Sequence, residues 1–317
     1  MSWFTFRFPD FAFSFLSILF EGIPFLLLGS VISGVIDAFL PAEWLTRFLP
    51  KRSGIAIVLG ALMGAIFPMC ECGSVVVIRR FIRKGLPISC AVAYMLGAPI
   101  VSPIVALSTF AAFRGQSPLV MTSLRLIFGF CLAVMVGFLV RFIPYEKLLQ
   151  RGVIESMPDR RRGLRFAAEG GEHEPPMVGE RKFTQKCFAV VQAASSDFLD
   201  VAFFFVIGAA LAATFNTAVN QQVILPLAAS PMLSILSMML LAFVLALCSS
   251  TDAFIAASFV AFPFAAKLAF LVFGPLFDVK LFFLYGLIFR RWFVFGLLVG
   301  LFVLVALVCD RIAVLGL

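Results

Sequence analysis

The chain has 317 residues, of which 62% are hydrophobic and only 13% are charged, and its formal net charge is +8. Its mean hydropathy is +1.09, whereas a soluble globular domain carries about 25% charged residues. So few polar residues cannot cover a water-exposed surface, which excludes an ordinary soluble domain. The basic residues stand in short blocks beside apolar runs, as in cytoplasmic membrane loops, so we expect no nucleic-acid partner. The composition predicts an all-α polytopic membrane protein.

The first part of the chain alternates long and short apolar runs. Residues 11–40 are long enough to cross a bilayer, but Gly54–Phe67 is only 14 residues, about 21 Å as a helix. The next run, Ser74–Ile82, is also short, and a span needs about 20 residues. Residues 86–113 are long but interrupted at "GAPIVSP", and residues 119–142 are uninterrupted. The pattern predicts three crossings and two half-length helices.

The two half-length helices predict a re-entrant hairpin. Lys51 and Arg52 precede them and "RRFIRK" (79–84) follows them, so both flanks are expected in the cytoplasm. Helices that enter and leave on the same side place the tip of their hairpin, "CECG" (70–73), at membrane depth. Irregular backbone at that depth is tolerated only where protein or a watered cavity satisfies its polar groups. The tip therefore predicts a cavity.

Residues 144–186 are polar and predict a flexible cytoplasmic linker between two membrane repeats, residues 1–143 and 187–317. The motifs of the first repeat recur in order in the second. "EGIPFLLLGSVISGVID" aligns with "DVAFFFVIGAALAATFN", "CECGSVV" with "CSSTDAF", and "GAPIVSP" with "FGPLFDVK". The order of motifs indicates an internal duplication.

The loop charges predict that the two repeats are inverted. The loop after the first span carries Arg47, Lys51 and Arg52, whereas its counterpart, "TAVNQQVILPLAASP", carries no charge. Equivalent loops are therefore expected on opposite sides of the membrane. This predicts an inverted repeat in which each half has about three transmembrane helices and one re-entrant hairpin, with both termini external. Eight to ten full spans are the alternative, because residues 231–247 are nearly long enough to cross.

Two cysteines of the first tip and one of the second are candidate ligands. A helix that begins at a tip directs its N-terminal N–H groups at the cavity and favours an anion or a thiolate, and thiolates select soft ions. We therefore expect Cys70, Cys72 and Cys248 to bind a soft metal or metalloid as substrate. Buried packing cysteines are the alternative reading of a single CxC pattern.

Ionisable residues inside apolar runs are costly and usually functional. Asp252 is expected either to cap a helix or to bind a proton or substrate, and Asp278 and Lys280 are expected to pair with each other or across the cavity. Glu21 and Asp200 are expected to pair or to extend towards the membrane surface. The full set of candidate substrate or coupling residues is Cys70, Glu71, Cys72, Gly73, Pro99, Ser102, Pro103, Cys248, Ser249, Ser250, Thr251, Asp252, Pro275, Asp278 and Lys280.

The motifs "PMCECG", "RRFIRKGLP", "AYMLGAPIVSPIVAL" and "GPLFDVK" resemble those of the bacterial predicted-permease family of the YraQ type, which includes the ArsP organoarsenical efflux permeases. The resemblance covers both halves apart from the linker. Ser102 stands where the family pattern has asparagine, and "SVVV" lacks the proline that the pattern has after Gly73. The resemblance implies a permease, and its efflux members are associated with trivalent arsenicals, which thiolates bind well.

These observations favour an inner-membrane secondary transporter that exports a soft metal, metalloid or related small solute by alternating access between the two tips. Proton coupling would use Asp252 or Asp278. The expected partners are the bilayer and the solute, with a homo-oligomer or a membrane partner subunit left open, and no cofactor is expected. The alternatives are a membrane thiol oxidoreductase that uses Cys70 and Cys72 as a redox pair, and a non-transporting partner subunit.

Overall fold

The computed structural model describes residues 8–39, 53–67, 69–155, 183–218 and 230–314. The first half of this described chain contains α1 (Phe8–Phe39), α2 (Ser53–Ile66), α3 (Glu71–Arg83), α4 (Ile88–Gly97), α5 (Pro103–Ala112) and α6 (Pro118–Arg141). Two short helices follow, α7 (Tyr145–Leu148) and α8 (Arg151–Glu155). The second half contains α9 (Phe183–Ala218), α10 (Pro231–Leu245), α11 (Asp252–Ser258), α12 (Phe264–Leu276), α13 (Val279–Tyr285) and α14 (Arg291–Val314).

Five helical segments within the described residues are long and apolar enough to cross a membrane. They are Phe8–Val35, Pro118–Arg141, Val190–Phe215, Phe264–Tyr285 and Arg291–Val314. Shorter apolar helices of 10–17 residues accompany them, including α2 and α10. The prediction of an all-α polytopic membrane protein is confirmed. Three parts of the sequence on which predictions rest lie outside the described residues. They are the basic residues Arg47, Lys51 and Arg52, the uncharged loop at 219–229, and linker residues 156–182.

The helices follow the same order in both halves. Each half has one long helix, two short helices, a helix broken in the middle and a final long helix, so that α1 to α6 correspond to α9 to α14. The equivalent helices α1 and α9 pack antiparallel, because Gly22 contacts Phe205 and a Cβ at Gly34 would lie 2.7 Å from the carbonyl oxygen of Val190.

Each broken helix is interrupted at a motif that contains proline, "GAPIVSP" in the first half and "FGPLFDVK" in the second. Helix α4 ends at Gly97 and α5 begins at Pro103, where the missing N–H of proline is not needed. In the second half, Pro275 occupies the last turn of α12, and Asp278 is the extended residue that caps α13. The interruption expected at "GAPIVSP" is therefore present, and the aligned motif "FGPLFDVK" also lies at a break between two helices.

The contacts between loops show which ends of the helices lie together. Gln116, just before α6, accepts a hydrogen bond from Lys267 Nζ of α12 at 2.7 Å. Beyond the other end of α6, Gln150 Nε2 donates to Gly286 O and Arg290 Nε to Leu149 O. The segment α12–α13 thus runs in the same direction as α6, whereas α4–α5 ends where α12–α13 begins. The equivalent broken helices point in opposite directions.

The beginning of the expected linker is ordered. Residues 145–155 form α7 and α8, and a β-bridge joins Leu149 to Phe289. Trp292 Nε1 also donates to Lys147 O at 2.9 Å. These contacts hold the first residues of the expected linker against the loop before α14.

Candidate functional site

A small pocket lies where the two predicted tips meet. Residues 70–72 of the first tip and residues 246 and 248 of the second contribute to its wall, together with residues of α1, α9 and α13. The lining residues are Ile18, Glu21, Gly22, Phe25, Cys70, Glu71, Cys72, Phe205, Ala246, Cys248 and Lys280. The pocket therefore combines apolar walls with three thiols, two carboxyl groups and one amine.

The first tip is the N-terminus of α3. Cys70 is extended and caps the helix, because its Sγ accepts a hydrogen bond from the N–H of Gly73 at 3.4 Å. Glu71 occupies the first helical position, where the helix dipole favours a negative charge. Gly73 lies against α1, since a Cβ on Gly29 would be 3.0 Å from Gly73 Cα. The two glycines thus allow α1 to approach the first tip closely.

The second tip is the loop between α10 and α11. Ala246 ends α10 in the left-handed conformation, with φ of 49°. The carbonyl of Cys248 accepts the N–H groups of Thr251 and Asp252, both at 3.0 Å. Thr251 Oγ1 donates to Glu21 Oε1 of α1 at 2.5 Å. The loop satisfies part of its backbone internally and is tied to α1 at the pocket.

Lys280 links the two tips. Its Nζ lies 2.9 Å from Glu71 Oε1 and 3.4 Å from Asp278 Oδ2, and it donates to the carbonyls of Ala246 at 2.8 Å and Leu247 at 3.3 Å. The side chains of Lys280, Glu71 and Asp278 are all buried. If all three are ionised, one ammonium faces two carboxylates, and the group carries a net negative charge. Glu71 Oε2 is buried and accepts no hydrogen bond from the described residues.

A second buried ion pair lies beside the second tip, away from the pocket. Arg125 of α6 is 0% exposed, and its Nη2 donates to Asp252 Oδ1 and Oδ2 at 3.0 and 2.9 Å and to Ser249 O at 2.8 Å. Its Nη1 donates to Thr109 Oγ1 at 2.7 Å. The two buried ion pairs are therefore built alike, because Glu71 and Asp252 each begin a tip helix and each faces a cation from the other half.

The comparisons with known proteins identify the family. The profile of a family described as "predicted permease" matches residues 9–312. The chain belongs to this predicted-permease family. The permease is 37% identical over 292 residues to the protein named "UPF0718 protein YcgR" of Bacillus subtilis strain 168, covering 92% of each chain.

A second relative carries a more specific name. The permease is 35% identical over 267 residues to a protein of Streptococcus mutans serotype c named "Putative two-component membrane permease complex subunit", covering 84% of the permease and 82% of that protein. No solved structure shows a significant match. The family and the apolar helices establish a multi-pass membrane permease and favour a transporter over an enzyme.

The candidate residues fall into three groups in the structure of the permease. Cys70, Glu71, Cys72, Cys248 and Lys280 line the pocket. The contacts of Gly73, Ser250, Thr251 and Asp278 place them directly around it. The third group does not line the pocket. Its members at the breaks of the broken helices are Pro99, Ser102, Pro103 and Pro275, and its members that contact Arg125 are Ser249 and Asp252.

Three expectations from the sequence concern a metal site at the cysteines, a helix cap at Asp252 and a pair between Asp278 and Lys280. Cys70, Cys72 and Cys248 are free thiols, and in the described ranges no group of three or more histidine, cysteine, aspartate or glutamate side chains is arranged to hold a metal ion. Asp252 is the first residue of α11, and its carboxylate pairs with Arg125. The expected pairing of Asp278 with Lys280 is present.

Arg125 was missed from the sequence, and Glu21 was named there but not placed at the pocket. Arg125 is a single cation inside the apolar run that was expected to cross the membrane without a break. Ionisable residues inside apolar runs are usually functional, and this reasoning, used for Asp252, would also have identified Arg125 as a candidate. Glu21 was expected to pair or to extend to the membrane surface, and it does pair, but at the pocket. Its hydrogen-bond donor is 230 positions away in the chain, so no local pattern could identify it.

Proposed function

We propose that the permease is an inner-membrane secondary transporter that exports a soft metal, a metalloid or a related small solute through the pocket between its two tips. The observation that carries the proposal is the position of Lys280, which bonds to both tips at a pocket lined by three cysteines. Thiols suit soft ions and metalloids. The direction of transport rests on the resemblance to arsenical efflux permeases.

We further propose that the two halves are an inverted repeat and that α2–α3 and α10–α11 are re-entrant hairpins. The antiparallel packing of α1 and α9 and the opposite directions of the broken helices support this arrangement. Helices α2 and α10 have 14 and 15 residues, so each is shorter than the roughly 20 residues of a full span. Inverted repeats with broken helices at mid-membrane are typical of secondary transporters.

Alternating access requires the pocket to be closed on one side at a time, and the charges indicate where it closes. Ser33 Oγ donates to Asp197 Oδ2 at 2.8 Å, and Arg80 Nη2 lies 2.7 Å from the same oxygen. This group joins α1, α3 and α9 on one side of the pocket. The pocket-lining residues of α1, from Ile18 to Phe25, lie about two or more helical turns before Ser33. We propose that this group closes the pocket on the Arg80–Asp197 side.

An efflux assay tests the role of the thiols. Cells or vesicles that carry the permease should export a trivalent arsenical or a soft metal ion, and the double substitution Cys70→Ser, Cys72→Ser should abolish that export. Cys131→Ser is the matched control, because Cys131 is exposed on α6 and should leave export unchanged. Undiminished export by the double variant would remove the thiols from the mechanism.

A membrane partner subunit is a second part of the proposal. The Streptococcus mutans relative is named as a subunit of a two-component complex, and we propose that the permease also works with a second membrane protein. Purification of tagged permease from its native membrane in mild detergent should recover one other membrane protein in constant proportion. Export by the purified permease alone in lipid vesicles would show that no partner is needed.

A further inference from the structure

The surroundings of Arg125 are built to hold a charged group in the membrane interior. Its guanidinium contacts a carboxylate, the Ser249 carbonyl and the Thr109 hydroxyl. A lone arginine at this depth is strongly unfavourable, and it persists where it is paired and hydrogen-bonded. Of these partners, Asp252 and Ser249 belong to the second tip. Arg125 thus has most of its contacts with one short segment of the opposite half.

The second tip is held by a cation on each side of Cys248. Lys280 binds the carbonyls of the two residues that precede Cys248, and Arg125 binds the carbonyl of Ser249, which follows it. Cys248 lies between these points and faces the pocket, whereas Arg125 does not line the pocket. Any effect of Arg125 on a transported solute must therefore act through the loop.

We propose that Arg125 is a positioning residue of the transport site, which fixes the second tip so that Cys248 lines the pocket and Thr251 reaches Glu21. The proposal rests on the proposed transport function, although the position of the tip can be measured without transport. Arginine suits this role better than lysine, since its planar guanidinium donates to several acceptors in fixed directions. Here it donates to the Asp252 carboxylate, the Ser249 carbonyl and the Thr109 hydroxyl together.

The test compares the accessibility of individual cysteines in purified permease. Cys248 is 7% exposed, so its reaction with a small maleimide reports local opening of the tip. Arg125→Gln should raise the labelling rate of Cys248 by about tenfold or more, because charge-assisted hydrogen bonds are lost. The labelling rate of Cys70, on the first tip, should change much less. Peptide mass spectrometry measures both rates in the same sample.

Three further variants separate positioning from general instability. Arg125→Lys keeps the charge and should restore part of the protection of Cys248. Asp252→Asn should resemble Arg125→Gln, and the double variant should be no worse than either single one, because both remove the same contact. Thr109→Val leaves the ion pair intact and should cause a smaller increase. Arg114→Gln, at an exposed position before α6, is the matched control and should have no effect.

Transport kinetics give the second readout. For a substrate that the wild-type permease exports, Arg125→Lys should raise the apparent KM more than it lowers the maximal rate, because the tip is displaced while the rest of the fold is kept. Equal labelling of Cys248 in wild-type and Arg125→Gln permease would overturn the proposal, as would equal increases at Cys70 and Cys248. If wild-type permease exports no tested substrate, the proposed function fails, whereas the labelling result still decides the positioning role.

Discussion

Replacement of Lys280 by methionine removes the group that joins the two tips. Methionine has a similar length and no charge, so the substitution keeps much of the volume of the side chain. It leaves Glu71 and Asp278 in the protein interior without their cation, and it leaves the carbonyls of Ala246 and Leu247 without the ammonium donor. The structure therefore predicts a large loss of stability from one substitution.

The expected loss of stability can be worked out from the contacts of Lys280. Removal of one partner from a buried ion pair costs about 3–5 kcal/mol, and each buried acceptor left unpaired costs about 1–3 kcal/mol. These contacts share a single ammonium, so they do not add independently. We expect the free energy of unfolding to fall by about 5 kcal/mol. Glu71→Gln in the Lys280→Met background should recover about 2 kcal/mol, because it removes an uncompensated charge.

The assay is denaturant unfolding of the purified permease in mild detergent. It requires the wild type, Glu71→Gln, Lys280→Met and the double variant, so that the coupling free energy between the two residues can be calculated. Lys147→Met, at an exposed position, is the matched control and should change the free energy of unfolding by less than about 0.5 kcal/mol. If Lys280→Met permease is as stable as this control, or if the effects of Lys280→Met and Glu71→Gln simply add, Lys280 does not hold the two tips together as its contacts indicate.

Three further predictions concern the contacts around the site. If the Arg80–Asp197 pair closes the pocket as proposed, Asp197→Asn should increase labelling of the pocket cysteines by an impermeant thiol reagent added from that side. Asp200→Asn should have little effect, because Asp200 is 51% exposed in its pair with Arg79. Gly208→Val should lower the free energy of unfolding by about 1–3 kcal/mol, because a Cβ there would lie 2.7 Å from the backbone of α13. An unchanged unfolding midpoint would contradict the close approach of α9 to α13. Trp292→Phe removes the hydrogen bond to Lys147 O and should speed proteolysis near residues 145–155, and equal cleavage rates would contradict this docking.

Much of the fold could be predicted because segment length and charge act locally. The short runs that became α2 and α3 were bounded by basic residues, and the breaks at "GAPIVSP" and "FGPLFDVK" were marked by proline, which disrupts a helix wherever it falls in the interior. The cysteines of both tips and the pair Asp278–Lys280 were recognised for the same reason. In each case the signal lay within a few residues of the feature.

The partners of the charged groups could not be predicted, because they are distant in the chain. Arg125 binds a residue 127 positions away, and nothing near "LRLIF" indicates which acidic residue it meets. Lys267 is 5% exposed and donates to Gln116, which is 151 positions away in the chain. The hydropathy of a segment determines how it meets the bilayer, whereas these pairings depend on how the two halves pack against each other.

Reversible cross-linking of Cys70 to Cys248 tests most directly the central claim that the two tips form the transport site. Both cysteines line the same pocket, so a short bifunctional thiol reagent should join them in a permease that keeps Cys70, Cys72 and Cys248 and has its other cysteines replaced by serine or alanine. Peptide mass spectrometry identifies which two cysteines are joined. We predict that the cross-link stops export and that reduction of the cross-link restores export. Full export with the cross-link in place, or labelling of both cysteines without any cross-link, would contradict it.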